Sequence, residues 1–417
     1  MRGGIFPSAM FARRTGWPLE PNPLTLEIAA RREKSLPIFD LTESNPTRCG
    51  LDYDATAILG ALANSRSLSY EPDPRGPMPA RLAVAGYYAE RGAGVEPEQV
   101  FLTTSTSEAY SFAFRLLADP GDNVLVPAPS YPLFDFLTGL NDLELIRYPL
   151  DLDRGWRIQL ETLRARVNVR TRAILLLHPN NPTGSFVQRE ELEALARLGR
   201  EREIALIADE VFADYPWTKG GGAVGVERTG LVVDPERSRR VATHAAASDC
   251  LTLTLSGLSK ISALPQMKLA WLVASGPDDL RRRALERLEI IADTFLSVAT
   301  PLALALPRLL ETRRAIQPQI LKRLGRNLDW LDAKLRGGSP VRRLKAEGGW
   351  YVVLSVPAHR SDEEWAVELV RREGVLVHPG HFYDFAGEGF LVLSLLPPPE
   401  VFEASITRLL ELVKRSS

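Results

Sequence analysis

Cysteine is scarce in this chain. There are two in 417 residues, Cys49 and Cys250, far apart in sequence. They give no disulfide framework and no zinc spacing. The five histidines suggest no metal site. No apolar run approaches the roughly 18 to 20 residues that a membrane span needs. The N-terminus shows no apolar core of signal-peptide type. Charge of one sign is also missing: 51 Lys and Arg stand against 52 Asp and Glu. That balance argues against a nucleic-acid partner or a membrane surface. Basic clusters such as Arg281-Arg282-Arg283 read as solvated helix faces. What these absences leave is a globular protein, large enough for a sizeable core and more than one domain. A cytoplasmic location is the expectation.

The chemistry is concentrated in Leu251 to Trp271. An alternating apolar run, Leu251 to Leu255, breaks into Ser256-Gly257 and presents Ser259-Lys260. A second cation, Lys268, precedes another apolar run, Leu269 to Ala274. One lysine thus sits in a turn between two expected strands. Enclosure in an apolar site disfavours the charged amine. The neutral amine can attack a carbonyl and form a Schiff base. The plainer reading is a lysine on a surface turn, where most lysines lie.

Before residue 24 the chain is rich in Arg and Pro without clear periodicity and reads as an arm. Phe6, Phe11 and Trp17 give that arm something to lay on a surface, such as a partner subunit. A short helix, Leu24 to Lys34, and a strand, Ile38 to Leu41, lead into Glu43-Ser44-Asn45-Pro46-Thr47-Arg48, which resembles a binding loop. Tyr70 opens the turn cluster Tyr70 to Gly76. Apolar strands then alternate with helices: Val100 to Thr103, Asn123 to Val126, Ala173 to Leu177 and Ile204 to Ala208. Such alternation indicates a mostly parallel sheet covered on both faces. Ligands bind beyond the carboxyl ends of such strands. Every polar motif falls there: Thr104-Ser105-Thr106-Ser107, Tyr131, Asn181-Pro182-Thr183-Gly184, Asp209-Glu210 and Ser259-Lys260. Singly each has a plain explanation, such as a helix cap or a turn. Four hydroxyls in succession exceed what a cap needs, and hydroxyls at a helix start make a phosphate cradle. After Gly276 the order of helices and strands suggests a smaller α+β domain.

Taken together, Asn181-Pro182-Thr183-Gly184, Asp209-Glu210-Val211 and Ser259-Lys260 resemble the class I/II aminotransferases, fold-type-I pyridoxal-phosphate enzymes related to aspartate aminotransferase. The resemblance covers nearly all of the chain after the arm. It implies an α/β fold: a large domain with a mostly parallel seven-stranded sheet covered by helices, over residues 56–309. A smaller α+β domain would be built from 24–55 and 310–417, with an arm over 1–23. It implies pyridoxal 5′-phosphate as cofactor and amino transfer from a donor to a 2-oxo acid by a ping-pong cycle. Lys260 would hold the cofactor and shuttle the proton. Asp209 would pair with the pyridine nitrogen, Tyr131 stack on the ring, and Asn181 donate to the ring oxygen. Ser105, Thr106, Ser107, Ser259 and Lys268 would hold the phosphate. Tyr70 would reach the neighbouring subunit's phosphate, which implies a homodimer with shared sites.

Three positions depart from the family pattern. Lys268 stands where arginine is usual, so the phosphate loses a bidentate fork. Phe212 stands where a tyrosine commonly donates to the ring oxygen, so the Lys260 linkage should keep its proton to higher pH. Val392, in Phe390 to Ser394, stands where the family's arginine clamps the substrate carboxylate. A valine cannot pair with a carboxylate. Arg48 is the candidate replacement, ahead of Arg75 and His381, with Asn45 and Asn181 beside the substrate. Trp17, Tyr131 and Phe382 are candidates for an apolar side-chain pocket. The same scaffold supports elimination, decarboxylation and amine chemistry, and a non-catalytic cofactor-binding protein is a further alternative.

Overall fold

The computed structural model describes residues 10–217 and 240–416. Phe6 lies outside them. A short strand, β1 (Phe39–Asp40), precedes the main sheet. That sheet contains β2 (Val100–Thr103), β3 (Asn123–Ala128), β4 (Glu144–Asp151), β5 (Arg157–Ile158), β6 (Thr171–Leu177), β7 (Ala205–Asp209), β8 (Thr252–Gly257) and β9 (Ala270–Ser275). Its spatial order is β2-β9-β8-β7-β6-β3-β4-β5. The ladders from β4 through β3, β6 and β7 to β8 are parallel. β9 runs antiparallel to both β8 and β2.

Among the described residues the sheet has eight strands rather than the expected seven. The extra one, β5, is two residues long and pairs antiparallel at the edge with the end of β4. So short a strand carries no periodicity to read. The central strands are buried along their length, β8 and β9 at every residue. β9 is accordingly apolar up to its last residue, whereas β8 keeps an alternation of Thr252 and Thr254 with Leu253 and Leu255 although all four are buried. Helices cover the faces, among them Thr106–Leu117, Arg189–Arg202 and Asp278–Phe295.

A second region is built from β10 (Arg342–Arg343), β11 (Tyr351–Ser355), β12 (Val375–Leu376), β13 (His378–Pro379) and β14 (Phe390–Ser394). Four of these form an antiparallel sheet, β10-β11-β14-β13, while β12 pairs in parallel with β1. Helices Arg313–Leu335 and Pro399–Ser416 pack with them in one core. That core takes in Leu24 and Leu41 from the beginning of the chain, and Phe212, Tyr215 and Trp217 from just after β7. The apolar packing therefore passes from the second region to the end of the main sheet.

The turn Asn181-Pro182-Thr183-Gly184 is fixed at this junction. Asn180 Oδ1 accepts from Thr183 N and Oγ1, and Gly184 O accepts from Glu347 N at 3.0 Å. Gly184 has φ +71°, and a Cβ there would lie 2.5 Å from Gly348 O. Neither the dihedral nor the space admits a side chain. Gly184→Ala should lower the thermal midpoint by several degrees, from a cost of about 1–3 kcal/mol. A midpoint unchanged in a calorimetric scan would contradict this.

Candidate active site

Five strand ends deliver the site. β2 ends at Thr103 and Ser105 caps the following helix: its Oγ accepts from Glu108 N at 3.1 Å. Ser105 thus serves the helix and does not line the cavity, whereas Thr106 and Ser107, the first helical residues, do. Tyr131 follows β3, Asn181 follows β6, and Asp209 is the last residue of β7. Lys260 lies in a single helical turn, Leu258–Ile261, immediately after β8. That turn is held close by Gly257, where a Cβ would meet Ala270 Cβ at 2.7 Å. These residues share a cavity of about 310 Å³, with Phe212, Ser259, Tyr110, Ser44, Tyr351 and His378 also on its wall.

Lys260 Nζ lies 4.9 Å from the Trp350 ring centroid and 5.5 Å from that of Phe212. Burial pushes its amine down from 10.5 to about 8, against the opposing pull of Asp209. Asp209 is pushed the other way, up to about 6, by burial; hydrogen bonds from Val211 N and Tyr110 oppose the rise. Tyr110 donates to Asp209 Oδ2 at 3.0 Å, and Val211 N donates to Oδ1 at 3.0 Å. Between pH 6 and 8 the pair is therefore a carboxylate facing an ammonium that loses its proton at mildly alkaline pH.

Glu210 faces away from the cavity. Its carboxylate accepts from Thr243 Oγ1 at 2.7 Å, His244 N at 2.6 Å and contacts His244 Nδ1 at 2.9 Å. Burial raises its pKa, but the His244 hydrogen bond and nearby cations prevail and hold it at about 2. It is a buried anchor for the strand that aims Asp209.

Several expected residues do not reach the cavity of this chain. Lys268 is exposed, in a left-handed conformation (φ 48°), two residues before the wall residue Ala270. Tyr70 is 77% exposed and lines a separate surface cavity with Leu296 to Val298. Asn45 spends its side-chain oxygen on Thr47 N and Oγ1. The Arg48 side chain is 75% exposed, 4.0 Å from Glu43. Arg75 is held by Glu289 and stacks on Phe101, and His381 is exposed with its ring against Phe382. Trp17 packs on Phe136, and Arg14 pairs with Asp142, so part of the arm lies on its own chain. Phe382 packs beside Val392 rather than on the cavity.

Ser44 reaches the wall from the segment that resembles a binding loop, whereas Tyr110, Tyr351 and His378 were not expected there. For Tyr110 a signal existed: it lies four residues after Thr106 and so shares that helix face. The others reach the site only through pairing of distant strands.

The family model for aminotransferases of class I and II matches residues 43–407. The chain belongs to the class I and II aminotransferases. It is similar to a glutamate-pyruvate aminotransferase from Haemophilus influenzae, 27% identical over 93% of each chain. An alanine aminotransferase from Mycobacterium tuberculosis is 27% identical over 89% of this chain and 84% of its own. Among solved structures, alanine aminotransferase from Pyrococcus furiosus superposes with a TM-score of 0.80 at 22% identity, covering 94% of this chain and 96% of that one. A mutant aspartate aminotransferase from Thermus thermophilus gives 0.79 at 23%, covering 99% and 100%.

This aminotransferase is a pyridoxal-phosphate-dependent enzyme, and its cavity suits that group. Asn181 Oδ1 is buried on the wall with no hydrogen-bond partner among the described residues, leaving an unspent polar group at the cavity. Lys260, Asp209 and the hydroxyls of Thr106, Ser107 and Ser259 supply an amine, a carboxylate and phosphate donors on the same wall.

In the cofactor-free aminotransferase, labelling of Lys260 by an amine-directed reagent, followed on its peptide by mass spectrometry, should show a midpoint near pH 8. Asp209→Ala removes a charge that favours the ammonium, so the midpoint should move lower. A midpoint near 10.5, the ordinary lysine value, would contradict the burial argument.

Proposed function

We propose that Lys260 is the covalent anchor of the cofactor and the residue that moves the substrate proton. The observation behind this is its convergence with Asp209 in one cavity, with a lowered amine pKa beside a buried carboxylate. Pyridoxal phosphate supplies an aldehyde for an amine to bond and a ring that accepts the electron pair released at the substrate carbon. Asp209 would hold the ring nitrogen's proton through its carboxylate, itself oriented by Tyr110 and Val211 N. Thr106, Ser107 and Ser259 would hold the phosphate, with Thr106 and Ser107 at the positive end of their helix. Lys268 would join them from the loop before β9. Tyr131 would cover the ring, Asn181 would donate to its oxygen, and Phe212 would face it without donating. With its amine free, Lys260 would be a neutral base within the site, placed to take the proton from the substrate carbon and to return it.

The relatives' names give an amino acid donor and a 2-oxo acid acceptor as the substrates to test first. A homodimer is part of the same proposal: Tyr70 lies outside its own chain's cavity and is exposed, as a residue serving a neighbour's site would be. We place residues 24–55 and 310–417 in the smaller domain and 56–309 in the larger; most of the shared core comes from the first two segments, with Phe212, Tyr215, Trp217 and Ala263 added from the larger domain. The two free, buried cysteines support a cytoplasmic location. A lyase is the second reading, because an S-alkyl-thiohydroximate lyase from Arabidopsis thaliana is 28% identical over 78% of this chain and 68% of its own.

Holoenzyme mixed with an amino donor and no acceptor should convert stoichiometrically to the aminated cofactor, seen in its absorbance. Lys260→Ala should slow that conversion by about a thousandfold or more. Ammonia released without any aminated cofactor would replace the transferase reading with the lyase one.

A further inference from the structure

The helical turn that carries Lys260 is four residues long, Leu258–Ile261, and then breaks off. Carbonyls at the end of a helix have no partner within it. Here three side chains from distant parts of the chain supply donors. The Tyr215 hydroxyl donates to Lys260 O at 2.5 Å, Gln317 Nε2 to Ile261 O at 2.9 Å, and the Tyr53 hydroxyl to Ala263 O at 2.9 Å. Of the three, Tyr215 is the one that acts on the peptide of the lysine itself.

Tyr215 is a fixed point. It is fully buried, its N donates to Phe212 O at 3.0 Å, and its O accepts from Gly349 N at 2.8 Å. A Cβ at Gly348 would lie 2.6 Å from that same oxygen, so the two segments meet backbone to backbone. Burial holds the Tyr215 phenol well above the usual tyrosine value, so its hydroxyl keeps its proton and remains a donor. The ring packs on Trp350 with centroids 5.1 Å apart, and the Trp350 centroid lies 4.9 Å from Lys260 Nζ. One residue therefore acts on the lysine twice. Its hydroxyl holds the backbone from which the side chain leaves, and its ring backs the indole that encloses the amine. Phenylalanine would fill the same space without holding the Lys260 carbonyl.

From this geometry we infer that Tyr215 is a positioning residue for Lys260: through the Lys260 carbonyl and the Trp350 ring it sets where the amine stands. The inference rests on the reading of Lys260 as the reactive amine. Its contacts lie within one chain, so they hold whatever a second subunit adds to the cavity. Proton transfer needs the amine within reach of the carbon it serves, and a misplacement of about 1 Å costs about a hundredfold in rate. Tyr215 therefore acts on rate and not on donor affinity.

The test compares Tyr215→Phe with Tyr53→Phe, which removes a matching hydroxyl from the carbonyl three residues further on. In the cofactor-free protein, the pH midpoint of Lys260 labelling should rise by about half a pH unit or more in Tyr215→Phe, since a less enclosed amine keeps more of its hydration. In Tyr53→Phe it should stay near 8. In holoenzyme given an amino donor alone, the rate constant for conversion of the cofactor should fall about tenfold in Tyr215→Phe, while the donor's dissociation constant stays within about twofold. Tyr215→Phe keeps the ring and its packing, and Lys260 O retains a bond from Ala263 N at 3.3 Å, so the fold should survive. Both variants are assayed below their thermal midpoints. A labelling midpoint or a rate left unchanged in Tyr215→Phe would overturn the inference and make Tyr215 a core residue only. Equal effects in the two variants would overturn it too, as a general loosening of the turn. Lys260→Ala is run alongside: conversion at the wild-type rate without that amine would remove the Lys260 reading itself, and this inference with it.

Discussion

A lysine amine enclosed by two aromatic rings and opposed by a buried carboxylate is the constraint on which the rest depends. Each group is unstable in that position alone. Burial works against the charge of both, lowering Lys260 to about 8 and raising Asp209 to about 6. They coexist because each is fixed by something rigid. Lys260 sits on one helical turn wedged between two fully buried strands, its carbonyl accepting from the Tyr215 hydroxyl at 2.5 Å. Asp209 is the end of a central strand, and its oxygens are held by Tyr110 and Val211 N. A site placed on strand ends rather than on long loops keeps these distances without reorganising.

Beneath that pair lies a second layer of buried charge. Glu210 is held by His244 and Thr243; Arg91 pairs with Asp214 at 2.8 Å, and the Tyr87 hydroxyl donates to the same carboxylate. Buried ion pairs give little net stability against apolar packing, yet losing one partner is strongly destabilising. Their effect here is to fix where β7 ends. The segment from 240 to 245 returns to the sheet through these same contacts, so the direction of Asp209 depends on groups that never touch the cavity.

Much of this was readable from residue order. The strand ends at Thr103, Leu177 and Asp209 follow from continuous apolar runs and that at Gly257 from an alternating one, and the polar residues just beyond them converge because parallel strands point one way. The family resemblance then named the chemistry. What stayed hidden depends on contacts between distant parts of the chain. His378 and Tyr351 arrive through the antiparallel pairing of β11, β13 and β14, which no local pattern announces. Ser105 looked like part of the phosphate cradle, yet the helix claims its hydroxyl as a cap. Glu210 adjoins Asp209 in the motif, but successive residues of an extended segment face opposite ways, and it is buried on the far side. The missing arginine was visible at Val392; that this residue is fully buried against Val353 and Tyr383 needed the packing.

We propose Lys260 as the amine that bonds the cofactor. The most direct measurement is borohydride reduction of the holoenzyme, followed by proteolysis and mass mapping of the cofactor adduct. One modified site is expected, on the peptide containing Ser259-Lys260, and no adduct there in Lys260→Ala. An adduct on Lys268 or any other lysine, with Lys260 left free, would contradict it.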